Sequence, residues 1–151
     1  MEDWRRIDID ALDTENQILA EELKPDVPPV SAEEVQSKIS TLRSYISKGS
    51  YNDAILFITE DPPYGADESS KAQLLNSVLD VLSAVKQSDI PTIVESLSIE
   101  QQNVLVKYLY KGMSVSKGQQ QGGILLSWYD KTVDITGLGP VVRYLSDRRT
   151  V

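Results

Sequence analysis

The side chains that could do chemistry in this chain are carboxylates, because its 151 residues include no cysteine and no histidine. This composition excludes disulfides, thiolate nucleophiles, Ser-His-Asp triads and zinc sites built on Cys or His. Two carboxylate pairs, Asp8 with Asp10 and Glu21 with Glu22, have the residue types of an acid–base pair. Such a pair needs a pocket that separates the two pKa values, and both pairs lie in a stretch with the composition of a solvated arm. The sequence therefore predicts no catalytic pair.

Two other segments have only a superficial likeness to ligand sites. Asp53, Asp61 and Asp67 lack the spacing of a calcium-binding loop. Residues 117–123 are rich in glycine, but they lack the Gly-Lys-Ser/Thr order and the preceding strand of a phosphate-binding loop. We therefore predict that the chain is not an enzyme, needs no cofactor or metal, takes no small-molecule substrate and works by binding.

Charge and hydropathy restrict the partners. The net charge of −8 argues against a nucleic-acid surface and against an anionic membrane surface, which both require cations. No apolar run approaches the roughly 20 residues of a membrane span, and the first residues lack the apolar core of a signal peptide. The apolar content of 40% is enough for one core. These features predict a cytoplasmic protein with protein partners.

Residues 1–30 have the composition of an arm and not of a core. They contain nine acidic residues, three basic residues and three of the seven prolines. Proline stiffens a linker, and an excess of one charge keeps a segment solvated. We predict an extended acidic arm and linker over residues 1–30, followed by one helical domain over residues 31–151.

A short alternating pattern lies inside this arm. Ile7 and Ile9 alternate with polar residues shortly after Trp4, which is typical of an extended peptide lying along a partner. We predict that Trp4, Ile7 and Ile9 anchor such a peptide. The polar residues of the segment are predicted to set its register: Arg5, Arg6, Asp8 and Asp10. The alternative is a disordered tail in which the apolar residues are incidental.

From Ser31 onward, helix caps and helical spacing predict an all-α architecture of seven helices packed as antiparallel neighbours. Capping boxes at Ser31–Glu34 and Ser98–Gln101 begin two of the helices. In the third helix, Ala72 is predicted to share the inward face with Leu75, Val78 and Val85. Trp128 is predicted to be a core residue with its indole N–H near a partner atom. Residues 114–123 are predicted to be a polar loop. The predicted helices cover about 31–48, 51–60, 69–87, 90–97, 98–111, 123–134 and 139 onward.

The last segment, residues 137–151, is the most informative part of the chain. Gly139 and Pro140 indicate a helix start, and Val141, Val142 and Leu145 supply an apolar face. Three cations follow along the segment: Arg143, Arg148 and Arg149. Chain ends fray unless something holds them, so an end this apolar is predicted to be docked. It docks either on the protein's own core or partly on another chain.

Four segments carry a resemblance to a known family. They are Arg5–Asp10, Leu105–Gly112, Leu125–Lys131 and Gly137–Arg143, the last together with the final Arg-Thr-Val. In order, spacing and total length they resemble the sixteen-kilodalton class of subunit, subunit 5, of the actin-related protein 2/3 complex. The resemblance is most extensive over residues 100–151.

The resemblance implies an α-α superhelix and a non-catalytic structural subunit of the complex that nucleates branched actin filaments. The implied partners are subunit 4, the β-propeller subunit 1 and, through the complex, actin filaments. It implies that the N-terminal arm tethers the actin-related protein 2 subunit, and that the chain is located in the actin cytoskeleton and in cortical actin patches. We further predict that Tyr110, Arg143, Arg148 and Arg149 contribute to the interface of the helical body.

Two other functions remain open on the residues alone. A free-standing helical adaptor would bind short peptides on a concave helix surface and would be a stable monomer. A small hydrolase using only carboxylates would show activity with added divalent metal.

Overall fold

The computed structural model describes Leu23 and residues 25–151, and the regular structure in this part is entirely helical. The all-α prediction is thereby confirmed, with eight helices in these residues where seven were predicted. The predicted arm lies mostly outside the described residues. The helices are α1 (Ala32–Lys48), α2 (Tyr51–Glu60), α3 (Glu68–Ala84), α4 (Ile90–Ser96), α5 (Ile99–Ser114), α6 (Ser116–Gln120), α7 (Gly122–Thr136) and α8 (Gly139–Ser146).

Both predicted capping boxes are present. The Ser31 hydroxyl accepts a hydrogen bond from the Glu34 amide at 3.2 Å, and the Glu34 carboxylate accepts one from the Ser31 amide at 3.3 Å. Ser98 and Gln101 make the same reciprocal pair at the start of α5. Each box satisfies amide groups that have no partner within the helix, so the sequence sets these two boundaries locally.

Helix α5 is the centre of the domain. Seven consecutive residues, Asn103–Leu109, are buried, so this helix is covered on every side and not only along one stripe. Its neighbours in space are α2, α3, α6, α7 and α8. Trp128 of α7 is fully buried, and its indole N–H donates to the Leu82 carbonyl of α3 at 3.0 Å. The prediction that this tryptophan is a core residue with a polar partner is confirmed.

The predicted loop at residues 114–123 is wrong, because it contains α6. Helix α5 also continues past Gly112 to Ser114. The reason is a tertiary contact: Gly118 of α6 lies directly against the backbone of Gly112, closer than any residue with a side chain could. Glycine disfavours a helix by its own propensity, and here the close approach of two helix backbones outweighs that cost.

Two details of the third helix also differ from the prediction. Ala72 is exposed, because Lys71 takes the inward position and reaches the Thr150 hydroxyl at 3.1 Å. The helix ends at Ala84 and not at Gln87, since Val85 has extended backbone angles. Val85 is nevertheless buried, as predicted.

Replacing Tyr108 with phenylalanine is expected to raise the free energy of unfolding by about 1 kcal/mol. The Tyr108 hydroxyl is buried without a hydrogen-bond partner in the described part of the chain, and burial raises the pKa of this phenol. The matched control is Tyr110→Phe, because the Tyr110 hydroxyl does have a partner, the Tyr129 hydroxyl at 3.1 Å. Urea unfolding followed by circular dichroism should show a gain for the first variant and a small loss for the second. Any loss of stability in Tyr108→Phe would contradict the prediction.

Candidate interaction surface

Helix α8 lies alongside α5 and is held there by polar and aromatic contacts. The Arg143 guanidinium donates from Nε to the Asn103 side-chain oxygen at 2.8 Å. The Tyr144 ring stacks on the Tyr110 ring, with centroids 4.4 Å apart and planes within 5° of each other. The edge of Tyr129 completes this cluster at 5.6 Å from Tyr110. Two residues predicted for the interface, Tyr110 and Arg143, therefore also hold α8 in place.

A buried lysine organises the end of the chain. The side chain of Lys107 is 4% exposed, and its ammonium group lies 2.7 Å from Asp147 Oδ2, 2.9 Å from the Tyr64 hydroxyl and 3.2 Å from the Arg149 carbonyl. The same ammonium group lies 4.3 Å from the centre of the Tyr64 ring. A buried cation is tolerated only when it is paired and hydrogen-bonded, and here it has a partner for each of its three protons.

Asp147 shares its carboxylate between Lys107 and Arg149. Arg149 donates from Nη2 at 2.8 Å and from Nε at 3.1 Å. These hydrogen bonds, chiefly those from Arg149 and then that from Lys107, hold the pKa of the Asp147 carboxyl well below its usual range. The Arg149 guanidinium also lies 4.9 Å from the centre of the Tyr64 ring. Arg149 was predicted for the interface, but these contacts show that it also stabilises the fold.

The final residues lie on the protein's own core. Thr150 accepts a hydrogen bond from buried Lys71, and the side chain of Val151 is 3% exposed. The interpretation that this end docks on the core is confirmed for the residues that follow α8. It is wrong for the predicted apolar face of α8 itself.

That face points outward. Val142 is 62% exposed and Leu145 is 75% exposed, whereas Val141 is half-buried and Pro140 is buried. The physical reason is that Arg143 and Tyr144 hold the opposite side of α8 against α5, which turns the aliphatic positions to the surface. Leu138, immediately before α8, is 66% exposed. Leu138, Val142 and Leu145 follow the i, i+4, i+7 spacing of one helix face, and we call them the outer α8 stripe.

A surface cavity adjoins the end of this stripe. Its volume is about 270 Å³, and Leu145, Tyr144 and Val151 supply its apolar wall. Lys107, Lys111 and Arg149 supply cationic groups, with Asp147 as the one carboxylate side chain in the lining. Lys111 forms no ion pair within the described part of the chain. The cavity is therefore apolar on one side and positive on the other.

The segment before α1 also contacts the body. The Val30 amide donates to the Gly65 carbonyl at 3.3 Å, and Gly65 lies so close to Pro28 that a Cβ would overlap the Pro28 carbonyl oxygen. Arg148 donates to the Leu23 carbonyl at 3.3 Å. This segment therefore contacts the domain at the α2–α3 connection and at a residue that follows α8. The predicted anchoring and register residues, Trp4, Arg5, Arg6, Ile7, Asp8, Ile9 and Asp10, lie outside the described residues.

Two residues of this surface were not singled out from the sequence, although the sequence carried a signal for each. Lys107 is the one charge inside the apolar run from Val104 to Leu109, which is typical of a buried ion pair. Leu138 has the helical spacing of Val142 and Leu145. Over residues 25–151, no group of acidic side chains could hold a metal ion, and no helix is long and apolar enough to cross a membrane.

The fold and surface define a helical protein whose functional groups are suited to protein contacts. The model of the ARP2/3 complex 16 kDa subunit (p16-Arc) family matches residues 3–151, and the chain belongs to this family. It is 48% identical over 154 residues to actin-related protein 2/3 complex subunit 5 of Saccharomyces cerevisiae, covering 99% of this chain and 98% of the relative. It is 30% identical over 149 residues to subunit 5-C of Xenopus laevis and to the human subunit 5-like protein, covering 98% of this chain and 94% of each relative.

The resemblance drawn from the sequence is thereby confirmed. Members of this family are structural, non-catalytic subunits of the complex that nucleates actin filaments. Other subunits of that complex are therefore the class of partner that the candidate surface must fit.

Proposed function

We propose that this chain is a non-catalytic subunit that works through two sets of contacts inside an actin-related protein 2/3 complex. The helical body docks on subunit 4 and on the β-propeller subunit 1, and the N-terminal arm tethers the actin-related protein 2 subunit. Through the complex the chain acts on actin filaments, in the cytoplasm at the actin cytoskeleton and its cortical patches. The observation that carries this proposal is the family match over residues 3–151.

Tyr110, Arg143, Arg148 and Arg149 are proposed to contribute to the body interface. Arg143, Arg148 and Arg149 are exposed, although each also makes a hydrogen bond within the chain. Tyr110 is half-buried and supports α8 through its stack with Tyr144. The three arginines thus present positive charge to a neighbouring subunit, whereas Tyr110 holds in place α8, the helix that carries Arg143.

The arm is proposed to act as a tether. A docking peptide joined to the body has a high effective concentration near its partner, yet the partner can still move relative to the body. Because Leu23 and residues 28–30 contact the domain, the tether is counted from Leu23 toward the N-terminus. Its 22 preceding residues can span at most about 75 Å when fully extended.

Deleting residues 1–20 is expected to leave the helical body folded and to release the actin-related protein 2 subunit from the complex more readily. The arm residues Trp4, Ile7 and Ile9 are the proposed anchors, and the core of the described domain is built from residues 35–151. Far-UV circular dichroism of the chain and native mass spectrometry of the complex provide the two measurements. A full-length variant carrying Ile7→Ser and Ile9→Ser is the control for arm length and should loosen the same subunit. Loss of helicity on deletion would show that the arm belongs to the folded body.

Native mass spectrometry of the assembly purified through a tagged chain tests the whole proposal. A stoichiometric assembly with two actin-related proteins, subunit 4 and a β-propeller subunit is expected. A stable monomer with short peptide partners would replace the proposal with the adaptor function.

A further inference from the structure

We propose that the outer α8 stripe and the adjoining cavity form one docking surface for an amphipathic helix of a neighbouring subunit, with acidic residues beside its apolar ridge. This inference rests on the proposed function, because it requires a complex with helical neighbours. It goes further by naming the surface and the chemistry of its occupant.

The first argument is the direction of the apolar face. Leu138, just before α8, and Val142 and Leu145 within it are 62–75% exposed along one side, although the opposite side of α8 contacts α5. Isolated apolar residues on a surface are ordinary, but three in register on one short helix form a contiguous strip. Covering this strip would remove its aliphatic surface from water, which is the main favourable term in association.

The second argument is shape. An i, i+4, i+7 row forms an apolar stripe along one side of a helix, and a second helix can pack along such a stripe. At its far end, Leu145 borders the cavity of about 270 Å³, whose apolar wall also includes Tyr144 and Val151. A stripe that ends at a cavity suits a helix that lies along α8 and inserts one apolar side chain beside Leu145.

The third argument is charge. Residues 139–151 contain three arginines and one aspartate, a net charge of +2 in a chain whose total is −8. Lys107, Lys111 and Arg149 line the cavity, and Asp147 is the one acidic side chain among its lining residues. Complementary potentials select partners, so the occupant should carry Asp or Glu beside its apolar ridge.

The same charge disfavours a second copy of this chain. A two-fold symmetric contact through α8 would place these cations against their own equivalents. The acidic arm of residues 1–22 is the other occupant with suitable charge, since Leu23 lies beside Arg148. The proposed function assigns that arm to another subunit, and its alternating Ile7 and Ile9 match an extended peptide better than a helix ridge.

Photo-crosslinking in the assembled complex identifies the occupant directly. A photoreactive amino acid is placed at position 145 and, as the matched control, at position 126, where Leu126 of α7 is 60% exposed but outside the stripe. We expect position 145 to crosslink to a helix of another subunit with Asp or Glu flanking its apolar residues, and position 126 not to reach that helix. A crosslink to residues 1–22, a crosslink to a second copy, or none to any protein would overturn the inference.

A pair of substitutions measures the contribution of the stripe. Leu145→Glu is expected to reduce recovery of the chain in the complex at least tenfold, because it puts a carboxylate into an apolar contact. Leu126→Glu is expected to change recovery less than twofold. Lys111→Glu should reduce recovery severalfold, through loss of charge complementarity. Equal recovery of Leu145→Glu and Leu126→Glu would overturn the inference.

The failures of the two proposals can be distinguished. If the wild-type chain assembles and the position-145 variants behave like those at position 126, the docking surface is wrong and the proposed function stands. If the wild-type chain recovers no complex, the proposed function is wrong, and the docking surface is wrong with it.

Discussion

Gly118→Ala is expected to lower the free energy of unfolding by about 2 kcal/mol. A Cβ at position 118 would overlap the carbonyl oxygen of Gly112 and would also meet a methyl group of Leu125 at 3.2 Å. The methyl group can rotate away, but the carbonyl oxygen belongs to the backbone of the central helix. Either α6 leaves α5 or the two helix backbones shift, and both outcomes lose contacts in a closely packed interior.

Gly123→Ala is the matched control for this substitution. A Cβ at position 123 meets no atom within 4 Å, and the residue is exposed in the first turn of α7. Alanine is the better helix former there, so stability should stay the same or rise by about 0.5 kcal/mol. Urea unfolding should show that the two variants change the free energy of unfolding in opposite directions or by very different amounts. Equal midpoints would mean that α6 does not lie against Gly112 in solution.

Lys107→Met is expected to lower the free energy of unfolding by about 3 kcal/mol. Methionine preserves most of the volume but removes the cation that binds Asp147, the Tyr64 hydroxyl and the Arg149 carbonyl. The carboxylate and two polar groups then lose a partner that water cannot fully replace. The residues after α8 should also detach from the body, since this ammonium group is their main polar contact with α5.

Lys117→Met provides the comparison. Lys117 pairs with Asp80 at 2.6 Å, as short as the buried pair, but both side chains are more than one-third exposed. An exposed ion pair contributes less than about 1 kcal/mol, so this variant should be close to wild type in thermal and urea unfolding. If the two methionine variants lose the same stability, burial is not what makes Lys107 important.

The ion pair between Lys107 and Asp147 also predicts how the stability of the chain depends on pH. The pKa of Asp147 is lowered in the folded chain, so its contribution is present above the ordinary value of 3.8 and is lost as pH falls through the folded value. The wild-type chain should lose stability below about pH 4, and Lys107→Met should lose less over that window because one cation acting on Asp147 is absent. If the substitution leaves the dependence of stability on acid pH unchanged, the contribution of Asp147 does not depend on Lys107.

Several features of this fold could be predicted from the sequence because their causes are local or depend on simple periodicity. The capping boxes at Ser31 and Ser98 satisfy amides within three residues of themselves. The spacing of Val35, Ile39 and Leu42 leaves one choice for the buried face of α1. Trp128 is the largest apolar side chain of its helix and was therefore expected in the core.

The candidate surface was predicted less completely, because it depends on pairs of residues far apart in the chain. The arginines of residues 143–149 were recognised as a charged group, but three of their contacts, to Asn103, Leu23 and the Tyr64 ring, join distant segments. Whether an arginine holds the fold or faces a partner depends on those contacts. Charge and spacing in one sequence do not contain that information.

The sequence by itself determined the class of protein, the helical periods, the absence of cysteine and histidine chemistry, and membership of the family. Each of these depends on composition, on short-range hydrogen bonds or on a pattern that many residues share. Only the tertiary structure decided that glycine-containing residues 116–120 form a helix, that Lys107 is buried and that α8 turns its aliphatic side outward. These depend on which surfaces meet: two glycines allow a close backbone approach, one carboxylate permits a buried cation, and polar and aromatic contacts to α5 hold the opposite side of α8.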